Sequence, residues 1–188
     1  SRVEFPNAGP GYLIFDQRVR DAQRLLSIHP GDPNPDWLPV ADTIGALVDN
    51  YMARGIHRLV ALRGDLPSGM GGSSQLVYAS ELVAFIRERS GDHFQIEVAA
   101  YPEIHPQAKN YDSDIFYLKK KLDAGADSAI TQYFFNVESY FYFLDQCAAA
   151  GIDKPIYAGV MPIINFANLA RSSRNCGAEL PRWICQRV

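Results

Sequence analysis

The sequence has no long apolar run, no block of basic residues and few cysteines among its 188 residues. No stretch approaches the roughly eighteen apolar residues of a membrane-spanning helix, so we expect no membrane partner. The formal net charge of −3, without a Lys/Arg cluster, argues against a nucleic-acid partner. The first residues do not combine a basic region with an apolar run, so they do not resemble a secretory signal.

The cysteines form no recognisable motif, and no common catalytic motif is present. Cys147, Cys176 and Cys185 are widely spaced and form no CxxC or Cys/His cluster. This pattern predicts neither a disulfide framework nor a metal site, and it favours reduced thiols in a cytoplasmic protein. No Ser/His/Asp or Cys/His nucleophile pattern and no HExxH motif is present. The remaining polar residues suit the binding of a planar cofactor better than hydrolysis.

The composition changes near residue 40. Residues 1–40 are rich in proline and predict an irregular segment of uncertain assignment, with one candidate helix over 15–28. Residues 41–188 alternate between short apolar strands and helices of 10–15 residues, as parallel βαβ units do. The expected helices span 43–54 (with Asp42 as N-cap), 75–89, 109–124, 137–150 and 166–176, and the expected strands span 58–62, 95–101, 128–135 and 156–161.

Polar clusters follow each expected strand. They are 63–67, 101–106, Gln132 and 161–165. Because active sites of parallel α/β proteins are built from the loops at the carboxyl ends of the strands, this placement favours an enzyme.

Each polar residue also has a structural interpretation. Asp65 could orient a heterocycle or stabilise a developing cation, or it could cap a turn. His105 could donate to a phosphate, act as an acid or base, or be structural. Asp114 and Lys121 are seven residues apart on one side of a helix, where they could flank a ligand or lie in solvent. Gln132 could bind an amide or pterin-like edge, or satisfy backbone groups.

Three segments carry a resemblance to a known family. Residues 56–67, 98–109 and 123–139 resemble, in order and spacing, the bacterial 5,10-methylenetetrahydrofolate reductases. The likeness runs from about residue 41 to residue 186.

The resemblance implies a flavin-containing (β/α)8 TIM barrel, of which this chain would hold about half to five-eighths. Such a barrel typically needs about 250 residues. The implied reaction passes a hydride from NADH or NADPH to FAD and then to 5,10-methylenetetrahydrofolate. It yields 5-methyltetrahydrofolate, for one-carbon and methionine metabolism. The implied partner is a small-molecule folate substrate. The resemblance leaves open whether the chain forms a homo-oligomer.

The resemblance also implies the site residues. Asp65 would stabilise the cationic substrate, Gln132 would meet the nicotinamide and the pterin in turn, and Asn168 would contact the folate. Glu4 is the only residue in the first segment that resembles the family's early general-acid Glu, so it is the candidate for that catalytic role. The implied FAD-binding set is Arg63, Gly64, Asp65, Ala79, Tyr101, His105, Ala108, Asp114, Tyr117, Lys120 and Lys121.

Two alternatives remain open from the sequence. The first is a truncated, non-catalytic remnant of that family that binds flavin weakly or not at all. It is motivated by the missing early general-acid Glu and Pro-His-Leu-Thr segments of the family and by the missing last strands of its barrel. Ser172 is a further departure, since the resemblance predicts an aromatic residue there. The second is an unrelated (β/α) enzyme that uses Asp65 and His105 for proton transfer and binds no flavin.

Overall fold

The computed structural model describes residues 40–62 and 78–187. Several sequence predictions fall outside these residues. They are the Pro-rich segment with its candidate helix over 15–28, Glu4, and the Arg63, Gly64 and Asp65 cluster. These therefore remain predictions.

The described chain alternates between helices and strands, as the sequence pattern predicts. The helices are α1 (Val40–Ala53), α2 (Ala79–Ser90), α3 (Tyr111–Asp123), α4 (Val137–Ala149), α5 (Phe166–Cys176) and α6 (Arg182–Arg187). The strands are β1 (Arg58–Ala61), β2 (Gln95–Ala100), β3 (Ser128–Thr131) and β4 (Ile156–Tyr157). No helix in the described ranges is long and apolar enough to cross a membrane.

The four strands form one sheet in the order β1-β2-β3-β4. β3 and β4 are parallel, with Ala129 opposite Ile156 and Ile130 opposite Tyr157. The fold class is therefore α/β with a parallel sheet, in which sequential strands are neighbours. The carboxyl ends of β3 and β4 approach closely, because Gly159 donates its N–H to Thr131 Oγ1 at 2.8 Å. A Cβ at position 159 would lie 2.0 Å from the Thr131 carbonyl oxygen.

The chain divides into two compact units, 1–97 and 98–188. In the described part of the first unit, α1 packs against α2, and α2 packs against β1. Its buried residues include Val48, Val83, Ile86, Phe94 and Ile96. A salt bridge of 2.9 Å joins Arg58 on β1 to the buried Glu97 on β2.

The second unit holds most of the candidate site residues that the structure describes. One of its core clusters contains Tyr133, Leu169, Ala178 and Ile184. α3 buries Ile115, Leu118 and Leu122, and α4 buries Phe143 and Cys147. Tyr133 and Cys147 are both buried.

Helix ends follow the capping chemistry of the sequence. Asn110, Asn136 and Asn165 precede α3, α4 and α5, and each side chain accepts a hydrogen bond from a backbone N–H of the first turn. Gly177 ends α5 in the left-handed conformation. The predicted N-cap at Asp42 is wrong, because α1 begins two residues earlier, at Val40.

Candidate functional site

The loop that follows β2 contains three of the candidate flavin residues, Tyr101, His105 and Ala108. The rings of Tyr101 and His105 meet edge to face, with centroids 4.5 Å apart. Between them, Ile104 has a φ of +79°. A β-branched residue rarely adopts this left-handed conformation, because its side chain crowds the backbone. The loop is therefore held by its surroundings in a strained shape, which is a frequent property of functional sites.

Hydrogen bonds assign a proton arrangement to His105. Its Nδ1 accepts the Gln107 N–H at 3.0 Å. In the neutral imidazole, this bond assigns the proton to Nε2. The neutral form of His105 is thus arranged as a hydrogen-bond donor through Nε2.

Asp114 ties this loop to helix α3. Its Oδ2 accepts the backbone N–H of His105 at 2.7 Å. Burial raises the pKa of this carboxyl, while the hydrogen bond and the charges of His105 and Lys121 act in the opposite direction. Asp114 therefore fixes the position of His105 through the backbone.

Lys121 lies about two helical turns after Asp114, on the same side of α3. Its Nζ donates to the carbonyl oxygen of Ala99 near the end of β2. Burial lowers the pKa of this ammonium group to about 8, and the charge of Asp114 opposes the shift. The expectation that Asp114 and Lys121 share one helix side agrees with this electrostatic contact.

The other α3 candidates lie at the edge of the same face. Tyr117 and Lys120 are exposed, whereas Ile115, Leu118 and Leu122 face the core. At 100° per residue, Tyr117 and then Lys120 follow the Asp114–Lys121 row toward solvent. Ala108 is half-buried before α3, and its N–H donates to the His105 carbonyl at 2.9 Å.

Gln132 lies directly after β3 and lines a shallow surface hollow. Its backbone N–H donates to Ala100, and its side-chain oxygen accepts the Tyr133 N–H at 3.0 Å. Its amide NH₂ makes no hydrogen bond within the described ranges. The hollow is lined by Tyr101, Pro102, Glu103, Ile104, Gln132, Tyr133, Cys176, Gly177 and Ala178. The hollow encloses no space for even a water molecule, so it is a surface depression and not a ligand pocket of the usual size.

The structure therefore connects five of the predicted residues in series. Gln132 and Tyr101 share the hollow, Tyr101 and His105 are in ring contact, and His105 is bonded to Asp114, whose charge acts on Lys121. We call these five residues the contact series.

Five described candidates lie outside the contact series: Ala108, Tyr117 and Lys120, described above, and Asn168 and Ala79. Asn168 is exposed on α5, and its Oδ1 accepts a hydrogen bond from Arg171 at 2.9 Å. Ala79 is the first residue of α2 in the other compact unit.

One residue of the site was not singled out from the sequence. Glu103 is next to the hollow, and its Oε2 accepts the Glu179 N–H at 2.7 Å. Its Oε1 is buried with no hydrogen-bond partner among the described residues. Burial raises the pKa of Glu103, and the bond from Glu179 opposes the shift. The sequence signal that could have identified Glu103 is its position between Pro102 and Pro106, in the polar cluster that follows the second strand.

The described residues are compatible with a flavin nucleotide. The exposed Tyr117 ring and Lys120 ammonium suit a planar group and a phosphate, and His105 offers an N–H donor. No group of three or more His, Cys, Asp or Glu in the described part of the chain could hold a metal ion. The arrangement belongs to an α/β protein whose polar groups gather after parallel strands, as in enzymes that bind small molecules.

Comparisons with known proteins are consistent with that class. The family model of methylenetetrahydrofolate reductase matches residues 40–188, and the chain belongs to this family. The 5,10-methylenetetrahydrofolate reductase of Escherichia coli strain K12 is 45% identical over 145 residues, covering 77% of this chain and 48% of that protein. The enzyme of the same name from Pectobacterium carotovorum is 47% identical over 138 residues, covering 73% and 45%. The chain spans about half the length of these relatives.

The chain is also similar to a more distant relative and to one solved structure. A probable methylenetetrahydrofolate reductase (NADPH) of Caenorhabditis elegans is 40% identical over 145 residues, covering 77% of this chain and 22% of that protein. An uncharacterized Clostridium thermocellum protein that binds two copies of 5-methyl-5,6,7,8-tetrahydrofolic acid aligns with a TM-score of 0.47 and 18% identity. That alignment covers 84% of this chain and 71% of the other.

Proposed function

We propose that this chain takes part in the flavin-dependent reduction of 5,10-methylenetetrahydrofolate to 5-methyltetrahydrofolate, with NADH or NADPH as reductant. Membership in the family supports the reaction. The contact series supports the proposal for individual residues. It links Gln132 to Lys121 through a shared hollow, a ring contact, a hydrogen bond and a charge interaction.

FAD, when bound, would supply the hydride-carrying chemistry. The chain's own residues would bind and orient it. His105 Nε2–H would donate to the cofactor, and Asp114 would hold His105 in place through its backbone. Lys121 would fix the end of β2 through Ala99, next to Tyr101. Tyr117 and Lys120 would contact the parts of the cofactor nearer solvent, and Arg63, Gly64 and Ala79 would complete the cofactor-binding set with Ala108.

The substrate side would be formed by three residues. Gln132, whose side-chain oxygen is engaged by Tyr133, would present its NH₂ to a carbonyl of the nicotinamide or the pterin. Asp65 would stabilise positive charge on the substrate nitrogen, since an opposite charge held at that point lowers the energy of the developing cation. Asn168 would contact the folate from α5.

The fold proposed for the complete protein is a (β/α)8 barrel. The parallel sheet with strands in sequential order is compatible with one, because neighbouring barrel strands also follow each other in sequence. We propose a cytoplasmic location, consistent with the free thiols of the described chain.

The test is flavin binding followed by turnover. Purified full chain is titrated with FAD, and NADH- or NADPH-dependent reduction of a dye is then measured, followed by methylenetetrahydrofolate as acceptor. We expect flavin absorbance and turnover. Gln132→Leu should lower turnover about tenfold, the effect of losing one substrate hydrogen bond. Gln146→Leu on α4, outside the contact series, is the matched control.

The outcomes separate the alternatives. A chain that binds FAD weakly and reduces neither dye nor folate is the non-catalytic remnant. A chain that gains no flavin absorbance contradicts the proposal and also leaves the non-catalytic remnant, because the family match overturns the alternative of an unrelated proton-transfer enzyme.

A further inference from the structure

The turn that ends α5, residues 177–179, is bonded to the loop that carries Tyr101 and His105. The Glu179 N–H donates to Glu103 Oε2 at 2.7 Å, a hydrogen bond between residues 76 positions apart in the sequence. Cys176, Gly177 and Ala178 line the same hollow as Tyr101, Glu103 and Ile104. The turn and the loop are thus two walls of one feature.

Gly177 allows this close approach. Its φ is +76°, and a Cβ added to it would lie 3.1 Å from Pro106 Cγ and 3.2 Å from the Ile104 carbonyl oxygen. Such distances require the neighbour to move by a few tenths of an ångström. The shape of the loop from Ile104 to Pro106 therefore depends directly on the absence of a side chain at position 177.

The loop needs support of this kind. Ile104 has a φ of +79°. An isoleucine keeps this strained conformation only when the surrounding structure holds it there. The backbone on one side of Ile104 is bonded through the Glu103 carboxylate, and the Ile104 carbonyl lies against Gly177. On the other side, Asp114 holds the His105 N–H. These contacts fix the loop on both sides of its strained residue.

We propose that Glu103 and the 177–179 turn are positioning residues of the flavin site, which set the orientation of Tyr101 and His105. The inference rests on the proposed function, because it takes these two residues to bind flavin. It adds a role for the end of α5, which acts on the cofactor through the loop and without contact of its own.

Two glycines provide a matched test. Gly151 follows α4 with a φ of +74° and has nothing within 4 Å of an added Cβ, whereas Gly177 has nearly the same φ and a crowded Cβ position. Gly177→Ala and Gly151→Ala therefore share the backbone strain, and only the first displaces the loop. In the full chain, FAD affinity is measured by fluorescence, and the Gln107 amide and His105 ring signals are measured by NMR.

We expect Gly177→Ala to weaken FAD binding about tenfold, since displaced binding groups lose much of their contribution. It should also shift the Gln107 amide, which donates to His105 Nδ1. Gly151→Ala should leave the FAD affinity within about twofold of the parent value and the Gln107 amide signal unshifted. Equal effects of the two variants, or an unmoved Gln107 signal in Gly177→Ala, would overturn the proposal.

A second pair of variants guards against misfolding of Gly177→Ala. Glu103→Ala removes the acceptor of the Glu179 N–H, and Glu103→Gln retains one. We expect Glu103→Ala to reproduce the Gln107 shift and Glu103→Gln to restore the parent signal. If both variants leave the signal unchanged, Glu103 has no positioning role. Because the NMR readout needs no flavin, failure of FAD to bind would contradict the proposed function alone.

Discussion

Two pairs of partly buried charged residues, one in each compact unit, use their hydrogen bonds differently. In the first unit, Arg58 and Glu97 bond directly to each other at 2.9 Å and join two strands. In the second, Asp114 and Lys121 interact through their charges, but each bonds to the backbone, at His105 and at Ala99. The first pair fixes strand against strand, whereas the second shapes the loop that carries the candidate site. Similar charges thus serve the sheet in one unit and the site in the other.

The largest expected effect breaks the strand pair. Glu97→Leu deprives Arg58 of a carboxylate that is only 4% exposed, while Arg58 itself is 34% exposed. We expect a loss of about 3 kcal/mol in the free energy of unfolding, at the low end for a broken buried pair. Urea denaturation measures it.

The double variant Arg58→Met with Glu97→Leu is the control. It replaces both charges by apolar groups and should recover at least half of the loss. A single variant as stable as the parent would show that the pair does not hold the strands.

The second effect concerns the pH dependence of the loop pair. The pKa of Lys121 is about 8 in the folded chain against an ordinary 10.5, so the unfolded chain binds this proton more tightly. Stability should therefore rise with pH between these two values. Relative to Lys121→Met, the parent should gain about 2 kcal/mol between pH 7.5 and pH 10. Denaturation of both proteins at both pH values measures the difference, and a constant difference would contradict it.

The smallest effect separates the two charges of the loop pair. Asp114→Asn removes the negative charge that raises the pKa of Lys121, so this pKa should fall further, by about one unit. NMR titration of the Lys121 side chain measures it. Asp123→Asn, at an exposed carboxylate that pairs with Lys119 on the same helix, should leave it unchanged.

The sequence predicted helices better than strands. α5 has the predicted bounds, because Asn165 caps its start and Gly177 ends it. β3 was expected to reach Phe135 but ends at Thr131. There the Gln132 side chain takes the Tyr133 N–H, and the Tyr133 hydroxyl bonds to Ser173 on α5. Such tertiary contacts cannot be derived from apolar periodicity alone.

β4 and α6 show the same limit. The expected strand over 156–161 ends at Tyr157, and Gly159 bonds to the Thr131 side chain instead of continuing the ladder. The short helix Arg182–Arg187 was not predicted, because its six residues are too few for a clear period.

The roles of the candidate residues stay predictions. Motif resemblance named all five members of the contact series, which are linked in the structure by a shared hollow, a ring contact, a hydrogen bond and an electrostatic interaction. Glu103, the φ of Ile104 and the crowding at Gly177 were not predicted. Each depends on a neighbour far away in the sequence, such as Glu179 for Glu103.

Gly159 has a consequence for how tolerance to substitution is interpreted in this chain. Since even a methyl group there would overlap the Thr131 carbonyl, every amino-acid replacement must separate the ends of two strands. A saturation scan would therefore score position 159 as harshly as a residue that handles substrate, although glycine contributes no functional group. Intolerance in such a map reports crowding as readily as chemistry, and only the geometry distinguishes the two.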